Sequence, residues 1–270
     1  MRVEEARHNV NLTSDAGTDM VDGLMQDRAL LARFSTAEKV AEVLRTRIME
    51  GFFPPGSRLP EETIASGLTI SRNTLREAFR LLNHERLLVH KLNRGVFVCV
   101  PTVADLVDLY RVRRILEISG AKVVSAAPLS CLHAIRDSVE RGQTAANEGR
   151  WQDVGTANLS FHRAIAALAG SSRIDELMRK LLAELRLVFH VMADPERFHA
   201  PYLDRHWELA QLLDERNGEA AAKALLVYLD EAEHQLLDAY QKLNKEGTAP
   251  PSRLTSRLTS HLTSAPLETP

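Results

Sequence analysis

Ile70-Ser71-Arg72-Asn73-Thr74-Leu75-Arg76-Glu77-Ala78-Phe79 is the stretch on which the reading of this chain turns. Ser71 is a good N-cap, because a serine oxygen can accept from the free N–H groups of a first helical turn. Leu75, Ala78, Phe79 and Leu82 then recur at helical spacing and form one apolar face. Asn73, Arg76, Glu77 and Arg80 lie off that face. Arg72 and Arg76 are one turn apart near the helix start, where helix-turn-helix modules approach DNA. Arginine can donate two bonds to a guanine edge, Asn73 can read adenine, and Thr74 can touch a thymine methyl or a phosphate. Ser71 and the helix N-terminus suit a phosphate. Taken alone, the same peptide also reads as an ordinary solvated helix face.

The flanking segments decide between these readings. Upstream, Ala37, Val40, Ala41, Leu44 and Ile48 predict a helix that Gly51 and Pro54-Pro55-Gly56 stop. A short helix from Pro60 to about Ser66 carries Ile64 and Ala65 inward, and Leu68-Thr69-Ile70 makes a tight turn. Downstream, Leu87–Leu92 and Val96–Val100 are β-rich runs joined by Asn93-Arg94-Gly95, a hairpin signature. Three helices and a hairpin make a winged helix-turn-helix. At the wing tip Arg94 suits a minor groove and Gly95 permits close backbone approach, although any tight hairpin also wants such a glycine. His90 and Lys91 suit nonspecific phosphate attraction. From Ser35 to Val100 ten Lys/Arg face seven Asp/Glu, so this segment carries +3 in a chain of net charge −2. A basic excess confined to one module is what phosphate contact requires.

The whole chain has 270 residues, which suggests two domains. Its 44% hydrophobic content fills cores that must be largely aliphatic, since aromatics make up 5%. No apolar run approaches the roughly 20 residues of a membrane span, and the first residues lack the apolar stretch of a secretory signal. Cys99 and Cys131 form no disulfide framework and match no zinc spacing. A cytoplasmic protein with no membrane partner is expected. Residues 1–34 are expected to be a flexible arm with a short helix near Val21–Phe34. Residues 35–100 form the winged module. Residues 103–243 contain no convincing strand, and helices are predicted over Val103–Ala127, Leu129–Glu148, Trp151–Ala169, Arg173–Ala193, Tyr202–Arg216 and Gly218–Leu243. Their short connections favour an antiparallel all-α bundle with a small cavity. The tail over 245–270 repeats RLTS, RLTS and HLTS between prolines and is expected to be disordered. The fold class is therefore mainly α, with a small β-hairpin wing.

Gly51–Val98 resembles the GntR family of bacterial transcription regulators. The resemblance rests on Pro55-Gly56-Ser57-Arg58-Leu59, Glu61, Ile64-Ala65, Ser71-Arg72-Asn73-Thr74-Leu75-Arg76-Glu77-Ala78, Leu81-Leu82 and Asn93-Arg94-Gly95. Thr69 stands where the family usually has glycine. The second block resembles the FCD ligand-binding domain of the FadR-like branch, through Tyr110–Glu117, Asn158–Ile165 and, more weakly, Arg205-His206 and Ala220-Ala221-Ala222. Together the two resemblances cover about Ala37 to Leu243. They imply a homodimer that binds a pseudo-palindromic operator in double-stranded DNA, commonly as a repressor, and a buried site for a small carboxylate effector.

That site often holds a divalent metal, zinc or nickel, on an aspartate and three histidines. By position His162 and His206 match two of the histidines, Asn158 stands for the aspartate, and Tyr228 stands for the last histidine. The exchanges remove a negative charge and substitute a poor ligand for zinc or nickel. Two readings follow: a metal on Asn158, His162 and His206, or a hydrogen-bonded core pair of histidines. Arg113 matches the family's inward-facing arginine and suits a carboxylate, unless it pairs with Glu117 one turn on. Arg186 and His190 are further cavity candidates, and His234 reads as a surface histidine. The expected effector residues are Arg113, Asn158, His162, His206 and Tyr228. The rival functions are a metal-dependent enzyme with an appended DNA-binding module, and a nonspecific architectural DNA binder. No catalytic residues are expected.

Overall fold

The computed structural model describes residues 36–191 and 194–245. The readings of the N-terminal arm and of the RLTS tail beyond 245 lie outside the described residues.

The N-terminal module runs α1 (36–49), β1 (Arg58–Leu59), α2 (Glu61–Gly67), α3 (Arg72–His84), β2 (Leu88–Lys91) and β3 (Gly95–Val98). The expected hairpin is present, with Val89 opposite Phe97 and Lys91 opposite Gly95. A third strand joins it: β1 pairs antiparallel with β3, Arg58 opposite Phe97, and the sheet order is β1-β3-β2. Two residues are too few to show a strand's alternation, so β1 left no periodic signal. Alternation does appear in β3, where Val96 and Val98 are buried. They meet Val40, Leu44 and Ile48 of α1 and Leu75, Phe79 and Leu82 of α3 in one core. The turn before α3 holds Thr69 at φ 52°, a left-handed conformation that glycine would adopt without steric penalty.

The C-terminal block comprises α4 (Val103–Lys122), α5 (Leu129–Asn147), α6 (Trp151–Ala167), α7 (Ser172–Val191), α8 (Pro195–His199), α9 (Leu203–Asp214) and α10 (Gly218–Lys245). Short 3-10 turns follow α4 and α8. A capping box starts α4: Thr102 accepts from the Asp105 N–H and Asp105 accepts from the Thr102 N–H. The unforeseen element is α8. It starts at Pro195 and ends before Pro201, two residues that read as breaks, and five residues are too few to display a helical period. Among the described residues no helix is long and apolar enough to cross a membrane.

One close approach fixes the geometry of the bundle. A Cβ on Gly120 of α4 would lie 2.3 Å from the carbonyl oxygen of Ile165 in α6. Glycine there lets the two backbones touch, which brings the polar side chains of α4 and α6 together within an otherwise apolar core.

The two modules share α7. Its Ala183 and Leu187 belong to the N-terminal core, whereas Leu182, Leu185 and Val188 belong to the bundle core. Arg186 Nε donates to the Met49 carbonyl at 3.0 Å and Nη1 donates to the Gln152 carbonyl at 3.3 Å. His190 Nε2 lies 2.8 Å from the same Met49 oxygen. The last turn of α1 is thus tied to the bundle by side chains from one face of α7.

Candidate functional site

The first candidate site is the exposed face of α3. Ser71 caps the helix as expected, its Oγ accepting from the Thr74 N–H at 3.1 Å. Arg72, Asn73 and Arg76 are exposed, and Thr74 is half-buried beside Ser71. Neither arginine is free in this state. Arg72 donates to Glu62 at 2.7 Å and Arg76 to Glu61 at 3.2 Å, both acids lying in the first turn of α2. The arginine side chains are 63% and 64% exposed, so water screens both pairs and each is worth about 0–1 kcal/mol. Such bonds hold the side chains in place yet yield readily to a better anion. At the wing tip Arg94 is exposed and Gly95 has φ +94°, which allows the tight return into β3. Both arms of the expected DNA-reading set therefore face solvent.

The second candidate site lies inside the bundle. Arg113 and Glu117 of α4, Asn158 and His162 of α6, His206 of α9 and Tyr228 of α10 are all buried. Glu117 is the hub: Arg113 Nε donates to Oε1 at 2.7 Å and His162 Nδ1 donates to Oε2 at 2.6 Å. The Arg113 guanidinium also stacks over Tyr110, 4.7 Å from the ring centre. A second group forms around Tyr228. Asn158 Nδ2 donates to Tyr228 Oη at 3.0 Å and lies 3.3 Å from His206 Nε2, which is itself 2.9 Å from Tyr228 Oη. These bonds are mutually consistent when Tyr228 donates to an unprotonated His206 Nε2. Rings link the two groups, with His162 5.1 Å from Tyr228 and Phe161 4.5 Å from His206.

Electrostatics fix the charge states. Burial works against the charge on Glu117, but the charge of Arg113 and the hydrogen bonds from Arg113 and His162 hold its carboxyl below the usual range. Burial also opposes the Arg113 charge, and Glu117 overcomes it. Burial pushes His162 down and drives His206 well down, helped there by His162, His199 and Arg113. It drives the Tyr228 phenol well up. The cluster is therefore one buried ion pair surrounded by neutral donors and acceptors.

This arrangement does not fit the implied zinc or nickel. The donor set Asn158, His162 and His206 carries no carboxylate. The carboxylate nearest to it, Glu117, is committed to Arg113 and His162, and Tyr228 is held protonated. The guanidinium close enough to depress His206 would also repel a dication. Among the described residues no group of three or more His, Cys, Asp or Glu side chains is arranged to hold a metal ion. The hydrogen-bonded reading of His162 and His206 is the one present.

The structure separates the other candidates. Arg113 forms the ion pair with Glu117 that was the alternative weighed for it, and it does so within the cluster. Arg186 and His190 correct the sequence reading: they face the seam between modules, bound to Met49, because the turn of α7 that carries them packs on α1. His234 is exposed, with Nδ1 2.6 Å from the Asp230 carbonyl. Glu117 was missing from the expected set, although its i,i+4 spacing from Arg113 was the available signal.

The chain matches two family profiles: "Bacterial regulatory proteins, gntR family" over residues 36–98 and "FCD domain" over residues 108–231. A solved structure described as a GntR transcriptional regulator from Rhodococcus sp. RHA1 is 46% identical, with a TM-score of 0.72, covering 76% of this chain and 99% of that one. The Nta operon transcriptional regulator of Aminobacter aminovorans is 26% identical over 191 residues, 69% of this chain and 87% of that protein. The HTH-type transcriptional repressor RspR of Escherichia coli K12 is 22% identical over 195 residues, 72% of this chain and 86% of that protein. All three are named as regulators, and none as an enzyme.

Proposed function

We propose a mode of action from one premise: the chain belongs to the GntR family of bacterial transcriptional regulators and carries an FCD domain behind its winged helix-turn-helix. It acts as a repressor, and two copies bind a pseudo-palindromic operator through Ser71, Arg72, Asn73, Thr74, Arg76, Arg94 and Gly95. The observation that carries this reading is the exposed pair Arg72 and Arg76 on a capped helix, held only by screened ion pairs to α2. On DNA those pairs exchange carboxylates for base edges and phosphates. A twofold dimer presents two such helices, which implies half-sites about one helical turn apart or a multiple of it.

The effector is a small organic acid held at the cluster of Arg113, Asn158, His162, His206 and Tyr228. Support comes from Arg113, whose Nη2 is buried without a hydrogen-bond partner. A buried guanidinium N–H left unpaired is costly, and a carboxylate oxygen satisfies it. Asn158 and Tyr228 add neutral polar groups that orient the acid without a metal. Release from DNA requires that the acid bind two arrangements of the protein unequally. The element suited to carry that difference is α6. It holds Asn158 and His162 on one face, and its Gln152 carbonyl takes Arg186, which also grips the end of α1.

Footprinting at physiological salt tests the DNA reading. One protected pseudo-palindrome is expected, with Arg72→Ala and Arg76→Ala each costing about 1–3 kcal/mol of operator affinity. Unchanged affinity in both variants overturns the assignment of α3, and protection without a unique site favours an architectural binder. Native mass spectrometry of the purified protein, followed by operator release with the acid found, tests the sensor.

A further inference from the structure

The seam between the modules contains a cleft of about 420 Å3 that is separate from the bundle cluster. It is walled by the last turns of α1, the first half of α6 and the middle of α7, with Met49, Gln152, Thr156, Arg179 and Arg186 among its lining. Its charge balance is unusual. Arg186 is only 6% exposed, and its guanidinium donates to two main-chain carbonyls. Among the described residues it meets no carboxylate within ion-pair distance. Burial lowers its hold on its proton, as expected of a cation short of counter-charge.

Arg179 is also under-compensated. Its Nη1 is buried without a hydrogen-bond partner, and its Nη2 reaches Glu85 only at 3.5 Å. Glu85 is already taken by Arg45, at 2.6 and 2.8 Å.

The remaining charged groups on the cleft are already engaged. Glu50 accepts from Arg47 at 2.9 Å and Asp153 is paired with Arg150. Arg163 makes two bonds of 2.8 Å to Asp175. No acid on the wall bonds to Arg179 or Arg186, and Asp153 offsets the Arg186 charge only in part, from a distance.

We propose that this cleft is a second anion site, taking a small phosphate- or carboxylate-bearing metabolite between Arg179 and Arg186. Two guanidinium groups with spare N–H donors suit an oxyanion, because each offers paired donors in a planar fork. The volume is that of a small metabolite site. A ligand there touches α1 of the DNA-binding module and α6 and α7 of the sensor together. It acts as a clamp on their relative position, independently of the acid at Arg113.

The test uses the full chain with inorganic phosphate and malonate as probes, at constant ionic strength balanced with chloride, followed by calorimetry and thermal unfolding. Saturable binding of one probe ion per chain is expected. Arg179→Gln weakens it about tenfold or more, the loss of one charge-assisted contact. Arg179→Lys recovers part of it, and both variants unfold at the wild-type temperature when no probe is present. Whichever probe binds more tightly identifies the phosphate or the carboxylate class. Tyr228→Phe, in the bundle cluster, affects only malonate bound at Arg113 and leaves the Arg179-dependent binding unchanged. No saturable binding of either probe overturns the proposal, as does binding indifferent to Arg179→Gln or abolished by Tyr228→Phe. Operator affinity is not read, so failure here leaves the DNA-binding proposal standing.

Discussion

Removing Arg113 tests how the bundle core holds the Arg113–Glu117 ion pair. Arg113 and Glu117 are 1% and 0% exposed, so neither charge can fall back on water when its partner is lost. Arg113→Met keeps an unbranched apolar stem but leaves Glu117 with His162 as its only partner. Breaking one side of a buried pair costs about 3–5 kcal/mol, because the survivor remains desolvated. For a block of this size each kcal/mol moves the melting temperature by about 2–4 °C, so a drop of roughly 6–20 °C is expected. Glu117→Leu strands the guanidinium and costs a similar amount. The double variant Arg113→Met with Glu117→Leu removes both charges and is expected to cost far less than the two single losses together. Thermal and urea unfolding of the four proteins, closed as a cycle, measures the coupling. A single-variant cost below about 1 kcal/mol, or additive costs, would show that water reaches the pair and would refute the buried-hub account.

Three further outcomes follow from local geometry. Thr69→Gly relieves a β-branched residue held at φ 52°, and a gain of about 1 kcal/mol in stability is expected by urea unfolding, with the fold unchanged. Gly120→Ala places a methyl 2.3 Å from the Ile165 oxygen, forces α4 and α6 apart, and is expected to cost about 1–3 kcal/mol. The third concerns pH. Burial, with Asp105 and Asp108 adding to it, raises the Glu184 carboxyl to about 7. The folded protein then binds this proton more tightly than the unfolded chain does, so stability falls as pH rises from about 4.5 to about 7. Glu184→Gln removes that dependence and is expected to be more stable than wild type at pH 8, by roughly 3 kcal/mol at most. Equal slopes of stability against pH in the two proteins would contradict it.

Much of the DNA-binding module was legible because its signals are local. A serine cap, an apolar face at helical spacing and an Asn-Arg-Gly turn each act within a few residues. The same holds for the long helices of the bundle, whose ends fall at Pro128, Gly149 and Gly170. β1 and α8 were not legible, since two and five residues cannot express a period and both exist only because partners pack against them. In the bundle core the sequence pointed to Arg113, Asn158, His162, His206 and Tyr228, but left open a metal, an ion pair or a plain hydrogen-bonded core.

Sequence by itself determined the capped, exposed face of α3 that we propose reads DNA, and the two-module order, because short-range capping and periodicity suffice for both. Only tertiary structure decided that Glu117 takes both Arg113 and His162, that Tyr228 closes on Asn158 and His206, and that Arg186 grips α1 instead of facing the cluster. Those choices depend on which helices lie in contact. That follows from features far apart in the chain, among them a glycine at position 120 that lets α4 rest on the backbone of α6. Charge states in the core are set the same way: burial and neighbours fix them, and a sequence lists neither.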